Sequence, residues 1–197
     1  GQRLSLRLQS SQFYNTYSFT FVEPWLGGRQ PVQFSTSLSK TNQYRYDFFT
    51  GLADKSQSFQ ISGATIGLAK RLRIPDDFFQ LSQAISFQYY NLKNYYTGLF
   101  TFGDGQANNL SYTINLTRNN TRINPIFPTG GSTFSISAKL TPPYSLFSKK
   151  DFSNLGLLAE FQDENGNPDL AKIDQEKFRW LEFYKIKFNG TWYTPIY

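Results

Sequence analysis

The side chains available for chemistry in this sequence are carboxylates, amines, guanidinium groups and hydroxyls, because its 197 residues include no Cys, His or Met. Without Cys and His there is no disulfide, no zinc-finger ligand set, no thiol nucleophile and no imidazole acid or base. The adjacent carboxylates Asp76 and Asp77 lack a partner base and are typical of a turn. We therefore expect no enzyme activity, no catalytic residue, no metal site and no cofactor.

Positive charge is the more informative property. The chain has 20 Lys plus Arg against 14 Asp plus Glu, a formal net charge of +6. Cations recur at polar positions inside alternating segments, whereas the carboxylates cluster between those segments. The cations that we assign to one basic face are Arg3, Arg7, Arg71, Lys139, Lys185 and Lys187. Such a face attracts anionic groups unless acids elsewhere neutralise it, and both interpretations stay open.

The elements that must position these cations are β-strands. Polar and apolar residues alternate through most of the chain, as Leu4, Leu6 and Leu8 do, and this period of two predicts strands with one apolar face. The eight predicted strands cover residues 3–9, 16–21, 32–39, 59–73, 80–89, 110–117, 134–141 and 184–192. Phe59 and Ile61 differ in parity from the rest of the fourth strand, so we expect a β-bulge at Gly63.

The connections between predicted strands alternate in length. Short turns at 23–30, 74–78 and 119–132 alternate with longer connections at 41–58, 92–108 and 142–178. The last of these holds the helix candidate, in which Asp169 caps a helix that runs from Leu170 to about Trp180. One end of the predicted sheet therefore has short turns, and the other end has long loops.

The apolar face of such a sheet packs either against a second sheet or against lipid. Long strands, aromatic residues near strand ends and the alternation of turns and loops favour a transmembrane antiparallel β-barrel over a soluble β-sandwich. A mean hydropathy of −0.47 fits a chain whose apolar residues are confined to one face. The predicted lipid-facing belt comprises Leu4, Leu6, Leu8, Phe19, Phe21, Phe34, Ile85, Phe87, Ile114, Leu116, Phe134, Ile136, Ile186 and Phe188. The basic face would then line the lumen, where lipopolysaccharide phosphates at the rim or acidic segments of another chain are its candidate ligands.

Two turns on the short-turn side are more specific than the alternation. In the first, Pro24 cannot donate to a strand ladder and the pair Gly27-Gly28 permits a tight reversal. The signature residues of the two turns are Glu23, Pro24, Trp25, Gly27 and Gly28, followed by Pro125, Phe127, Pro128, Gly130 and Gly131. In this order and spacing they resemble the barrel-assembly superfamily of BamA-type outer-membrane protein assembly factors, over essentially the whole chain. Family members often have an acidic residue shortly before the second turn, whereas residues 119–124 contain none.

The resemblance implies a sixteen-stranded barrel, preceded by periplasmic POTRA repeats, in the outer membrane of a Gram-negative bacterium. Residues 1–197 would form part of that one barrel domain, about its third to tenth strands, with the POTRA repeats and the C-terminal strands outside the chain. The implied function is the folding and insertion of other outer-membrane proteins. The implied partners are membrane lipid and lipopolysaccharide, nascent outer-membrane proteins and the accessory lipoproteins of an assembly complex, without nucleic acid.

Two other functions stay open at this point. One is a passive outer-membrane transport barrel, including a small barrel closed by eight strands. The other is a soluble, aromatic-rich binding β-sandwich. Hydrogen bonds between the first and last strands would favour the small closed barrel, and a second sheet on the apolar face would favour the sandwich.

Overall fold

A single antiparallel sheet dominates the structure. The computed structural model describes residues 1–28, 31–121, 130–148 and 150–194. The strands are β1 (Arg3–Ser10), β2 (Tyr14–Glu23), β3 (Val32–Tyr46), β4 (Ala53–Arg71), β5 (Phe79–Lys93), β6 (Gly105–Asn119), β7 (Gly131–Leu140) and β8 (Tyr184–Tyr193). They lie in the order β1-β2-β3-β4-β5-β6-β7-β8. The predicted all-β class and the eight strands are confirmed.

The sheet is open. The register joins β1 to β2 alone and β8 to β7 alone. The small closed barrel is therefore wrong as an account of this chain. The β-sandwich is also wrong, because the eight strands form one sheet and no second sheet covers it within the described ranges.

Helical structure is confined to the connections. The two α-helices are α1 (Tyr144–Phe147) and α2 (Leu170–Lys177), and 3-10 turns occur at Leu26–Gly28, Leu155–Leu157 and Ala159–Phe161. The Asp169 carboxylate caps α2 by accepting the N–H groups of Ala171 and Lys172 at 3.0 and 3.2 Å. The predicted capped helix is confirmed, although it ends at Lys177 rather than near Trp180. None of the described helices has the length and apolar character needed to span a bilayer.

The central strands are longer than the alternation predicts. β3 has 15 residues and β4 has 19, so most of the predicted connection 41–58 is strand and the loop shrinks to 47–52. The register between these strands shifts between Tyr44 and Arg45. The predicted bulge at Gly63 is wrong, because Gly63 pairs in continuous register with Ser39 on one side and Gln88 on the other.

Residues opposite each other in register share a face, and this assigns every strand residue to one of two faces. Phe19 lies opposite Leu6 and Leu38, and the same relation carries through to β8. All fourteen belt residues fall on one side, which we call the outer face. The six cations of the basic face fall on the other side, which we call the inner face.

The packed core lies on the inner face, at the end with long loops. Phe59, Leu92 and Ala107 of the sheet are buried there by Phe100 and Phe102 of the β5–β6 loop. Phe178 and Leu181, from the connection between β7 and β8, pack against the same cluster. We call these loop segments the loop cover. Phe59 and Ile61 break the parity of β4 because they face this cover, not because the strand bulges.

The connection between β7 and β8 adds a smaller cluster to the loop cover. Leu155 and Phe161, from its two 3-10 turns, and Ile173, from α2, bury one another. Gln175 of α2 fixes the helix to β6, since its Oε1 accepts the Gln106 N–H at 2.9 Å and its Nε2 donates to the Gln106 carbonyl at 2.6 Å. The longest loop of the chain is therefore tied to the sheet by specific hydrogen bonds as well as by apolar contact.

Candidate functional site: the two faces of the sheet

The outer face is a predominantly apolar surface that no other part of the described chain covers. Leu6 on β1 is 64% exposed, Ile85 on β5 is 57% exposed and Phe188 on β8 is 68% exposed. Single exposed apolar side chains are common on proteins, but a face of this extent marks contact with another protein or with a membrane. The register brings the fourteen predicted belt residues together on this face, and their contact with lipid stays a prediction.

The apolar part of the outer face lies between a polar row at the loop end and a row that contains Arg118 at the short-turn end. At the end with long loops, Lys40, Ser62, Tyr89 and Asn108 form one row across β3 to β6. At the short-turn end, the row of Phe79, Arg118, Phe134 and Gly190 crosses β5 to β8. Asn108 and Arg118 are ten residues apart on β6. That separation is about 33 Å along a strand, or about 25 Å along the normal at a tilt of about 40°, which is the height of the apolar band of outer-membrane barrels.

Several side chains between these two rows carry polar groups, among them Thr36, Lys70, Gln83 and Tyr112. Gln83 lies opposite Leu68 and Ile114 on the outer face, and its Oε1 accepts the Tyr112 hydroxyl at 2.7 Å. Sequence reasoning left both residues out of the belt. The alternation predicts that Gln83 lies on the outer face, because Gln83 has the same parity as Ile85 and Phe87.

The inner face carries the predicted cations, but not as one cluster. Lys139 and Lys185 lie directly opposite each other on β7 and β8, and Lys187 is the next inner-face residue of β8. Arg3 and Arg7 lie on β1, at the other edge of the sheet, and Arg71 lies at the short-turn end of β4. Among the described residues none of these six side chains forms an ion pair. Like charges directly opposite on neighbouring strands repel, so the lysine group is the most strongly basic part of this face.

Between these cations the inner face is lined by small residues. Ser35, Gly67 and Ala84 form one row across β3, β4 and β5. A Cβ atom added at Gly67 would lie 2.9 Å from the Ser35 hydroxyl oxygen, so a larger residue there requires a shift. Thr65 donates its hydroxyl to Ser86 at 3.0 Å across the same wall. The inner face in this region is therefore lined by small and polar side chains, whereas the outer face carries aromatic ones.

The first signature turn folds as its residue types predict. Trp25 donates its N–H to the Glu23 carboxylate at 3.2 Å, and Gly28 donates to the Trp25 carbonyl at 2.9 Å. Gly27 and Gly28 have φ values of 68° and 72°, a region that other residues enter at a cost. Pro24 precedes this reversal, at the end of β2.

The second signature turn is described only at its end. Pro125, Phe127 and Pro128 lie outside the described residues. Gly131 has a φ of 99°, and a Cβ atom there would collide with the Asn120 carbonyl. Gly130 precedes it and is buried. The conformation and close contact explain the glycine at position 131, whereas nothing in the structure explains the glycine at position 130.

An ion pair that the sequence did not reveal lies beside this turn. Arg118 of β6 contacts the Asp76 carboxylate through Nη2 at 2.9 Å and Nε at 3.0 Å, and its Nη1 donates to the Ser132 hydroxyl at 3.2 Å. The guanidinium also lies 5.7 Å from the centre of the Phe79 ring. Asp76 comes from the β4–β5 turn, so a neighbouring turn provides the carboxylate that residues 119–124 lack. Arg118 has the same parity as Leu116, so the alternation predicts that it lies on the outer face. Its partner Asp76 could not be predicted in this way, because it is 42 residues away in sequence.

The loops at the opposite end contain carboxylates that organise the backbone. The Asn167 N–H, and then the Asn165 N–H, hydrogen bond to Asp163 and lower its pKa. The Thr50 hydroxyl lowers the pKa of Asp47 in the β3–β4 loop, with help from the Phe49 N–H. Both carboxylates serve as acceptors within their own loops. Among the described residues, no group of Asp and Glu is arranged to hold a metal ion.

The model of the Omp85 superfamily domain matches residues 1–197. No curated protein shows a significant match to the chain. Among solved structures, the chain is similar to the crystal structure of BamA from Haemophilus ducreyi lacking POTRA domains 1–3, with 19% identity and a TM-score of 0.47. That match covers 73% of this chain and 29% of the BamA chain, so this chain spans less than a third of the length of that relative. The family match over every residue shows that the chain belongs to the Omp85 superfamily of outer-membrane β-barrel proteins.

Proposed function

We propose that this chain is part of the barrel of an outer-membrane assembly subunit, which folds and inserts other outer-membrane proteins. The observation that carries the proposal is the outer face of an Omp85-family sheet, which is predominantly apolar over about 25 Å between the polar row at the loop end and Arg118 at the short-turn end. In this proposal the chain acts as a scaffold and performs no enzymatic reaction. Its partners are membrane lipid and lipopolysaccharide, nascent outer-membrane proteins and the accessory lipoproteins of an assembly complex.

The physical basis of the activity is strand pairing at a weakened bilayer. An unpaired strand edge presents N–H and C=O groups that pair with an incoming strand, and no external energy source is required. The chain contributes a stiff wall beside that edge, because β3 to β6 each have 15 residues or more and pair along almost their whole length. The wall holds the register of the barrel while client strands are added elsewhere.

The basic inner face supports a role in contact with client chains. Lys139, Lys185 and Lys187 have no carboxylate partner in the described part of the chain. Positive potential inside a low-dielectric wall raises the local concentration of acidic segments. In this proposal the lysine group, near the long-loop ends of β7 and β8, attracts acidic stretches of an unfolded client inside the lumen.

Depletion of the gene tests the assembly role. When the protein is depleted, we expect the amounts of other barrel proteins in the outer membrane to fall before the amounts of lipoproteins, as measured by quantitative mass spectrometry of membrane fractions. Complementation with the wild-type gene should restore them. If other barrels are inserted at the normal rate in depleted cells, the assembly role is wrong, whereas membership of the Omp85 superfamily stands.

Passive transport is the second candidate, and the basic inner face is the observation that favours it. An open basic lumen would conduct anions in a planar bilayer, and conductance would then be independent of any effect on other barrels. The loop cover argues against an open pore, because Phe100 and Phe102 are buried against the inner face at the loop end. The assembly role is therefore the function that the geometry supports best.

A further inference from the structure

We propose that the short-turn end of the outer face, between β5 and β8, is a binding site for a phospholipid with a phosphoethanolamine headgroup. The site is an open groove of about 670 Å³. Its walls and floor come from Phe79, Arg118, Phe134, Phe188, Gly190 and Trp192. All six residues lie on the outer face, in or next to the row that contains Arg118 at its short-turn end. The inference rests on the lipid-facing orientation proposed above, but not on the assembly role.

The shape of the groove depends on Gly190. This residue lies opposite Phe134 in the register, at a position where the neighbouring strands place large side chains. A Cβ atom at Gly190 would lie 3.3 Å from the Phe188 ring, so even a small side chain there would fill space between the aromatic walls. Trp192, which is 79% exposed, forms the side of the groove nearest the end of β8. A channel of aromatic walls over a glycine floor accommodates an acyl chain.

The polar end of the groove carries one charge of each sign. The side chain of Arg118 is 20% exposed and that of Asp76 is 33% exposed, although they lie at the edge of an apolar surface. The Phe79 ring, whose centre lies 5.7 Å from the guanidinium carbon, packs edge to face on the Phe134 ring with centroids 5.6 Å apart. The ion pair therefore lies directly beside the aromatic walls of the groove.

Both members of the ion pair retain hydrogen-bonding capacity. A guanidinium has five N–H groups, and among the described residues the three bonds to Asp76 and Ser132 leave two of them, one on Nη1 and one on Nη2. Oδ2 of Asp76 accepts both bonds from Arg118, and Oδ1 accepts the Phe78 N–H, which leaves one acceptor site on Oδ1 within the described part of the chain. A phosphate can therefore bind Arg118 while a primary ammonium on the same headgroup binds Asp76.

This charge pattern selects among headgroups. The ion pair has no net charge, so it gives no general attraction for an anionic lipid. A phosphoglycerol headgroup has a phosphate but no cation for Asp76, and a phosphocholine headgroup has a cation that cannot donate a hydrogen bond. Phosphoethanolamine alone of these three complements both groups, with charge-assisted hydrogen bonds at each.

Quenching of Trp192 fluorescence by brominated lipids tests the site. The full-length protein is reconstituted in phosphatidylcholine bilayers with a small fixed fraction of lipid whose acyl chains carry bromine. The brominated lipid has an ethanolamine, a glycerol or a choline headgroup. The difference between wild type and Trp192→Phe isolates the signal of Trp192. We expect the ethanolamine lipid to bind about threefold more strongly than the other two, because hydrogen bonds to charged groups discriminate by at least that much.

Three variants examine the parts of the groove separately. Gly190→Leu fills the floor and leaves the ion pair intact, and it should abolish the preference for ethanolamine. Arg118→Gln and Asp76→Asn should each abolish it by removing one charge. Ala64→Leu adds the same apolar bulk to the outer face of β4, away from the groove, and should leave the preference unchanged. Circular dichroism of each reconstituted variant verifies that the barrel is folded.

The outcomes separate this proposal from the lipid-facing assignment. Equal quenching by the three lipids shows ordinary annular lipid at a lipid-facing β8 and overturns the headgroup site. A Gly190→Leu protein that keeps the ethanolamine preference also overturns it. Absence of quenching by every lipid overturns the site together with the lipid-facing assignment of β8. None of these results depends on whether the protein inserts other barrels.

Discussion

Apolar side chains of the same kind lie on both faces of this sheet, yet their surroundings are opposite. On the outer face Leu6 and Phe188 are 64% and 68% exposed, whereas Leu92 and Phe59 on the inner face are 2% and 7% exposed. The inner residues are covered by loops of the same chain. The outer residues have no such cover in the described part of the chain, and in a bilayer lipid takes its place.

Apolar side chains at alternate strand positions are therefore stabilised by protein on the inner face and by lipid on the outer face. On the inner face apolar side chains are stabilised by protein packing, and their removal leaves a cavity. On the outer face they are stabilised by the bilayer, which refills any space, so the cost of a change depends on charge rather than on shape. Four experiments test this difference between the two faces.

The largest effect is expected at the loop cover. Phe102, 2% exposed, packs against Phe100 with ring centroids 5.2 Å apart. Phe102→Ala should lower the free energy of local opening of the β5–β6 loop by about 3–5 kcal/mol, because a buried aromatic side chain is lost and a cavity forms. Hydrogen exchange of the loop amides measures this change.

The matched control is Phe49→Ala in the β3–β4 loop. Phe49 is 100% exposed, so its removal should leave exchange unchanged within error. Equal exchange rates in the Phe102→Ala and Phe49→Ala proteins would show that the loop cover does not pack on the inner face in solution. The difference described between the two faces would then be wrong.

Charge placed on neighbouring positions of β2 tests which face meets lipid. Phe19 lies on the outer face between Leu6 and Leu38, and Thr20 lies on the inner face between Ser5 and Ser37. Phe19→Arg should reduce the free energy of unfolding in lipid vesicles by about 2–4 kcal/mol, whereas Thr20→Arg should reduce it by about 0–1 kcal/mol. Urea titration followed by fluorescence gives both values. A larger loss for Thr20→Arg would reverse the assignment of the faces.

The opposed lysines on the inner face test the two interpretations of the basic face. If Lys139 and Lys185 have no acidic partner, Lys185→Glu replaces repulsion by attraction and should stabilise the sheet by about 0.2–1 kcal/mol. The gain should shrink in concentrated salt. The shift of the urea midpoint at low and high ionic strength measures it. A loss of stability would show that Lys185 is paired with an acid elsewhere in the protein.

The smallest effect is expected at Asp163, in the connection between β7 and β8 that contains α2. Hydrogen bonds from Asn167 and Asn165 lower the pKa of Asp163 below its ordinary value of 3.8. A carboxylate whose folded pKa is lowered contributes stability above the unfolded pKa and loses it as the pH falls through the folded pKa. Protection of the Asn165 and Asn167 amides should therefore be constant near neutral pH and fall only in strong acid.

Hydrogen exchange as a function of pH, corrected for the intrinsic rate, measures this loss. Asp163→Asn provides the comparison, because its amide does not titrate and its protection should be independent of pH. If the wild-type turn keeps its protection in strong acid, the Asp163 carboxylate does not organise it.

Much of the sheet could be predicted from local pattern, and the errors have a physical reason. Alternation placed all eight strands, and Asp169 was recognised as a helix cap because capping depends on residues close in sequence. The predicted bulge at Gly63 was wrong because Phe59 and Ile61 change parity where they face Phe100 and Phe102, which lie 39 or more residues away in sequence. The ion pair of Arg118 and Asp76 was missed for the same reason, since the two residues meet only when the turn folds over the neighbouring strands.

The strands, the distribution of apolar residues and the basic group onto two faces, and the turns that resemble those of the superfamily could all be predicted from the amino-acid sequence. These are local properties, since each residue of a strand points opposite to its neighbour whatever the rest of the chain does. The open sheet, the loops that cover one end of the inner face, and the groove formed by an ion pair and a glycine on the outer face became visible only in the folded chain. Each of these depends on contacts between residues far apart in sequence, and alternation along a strand carries no information about such contacts.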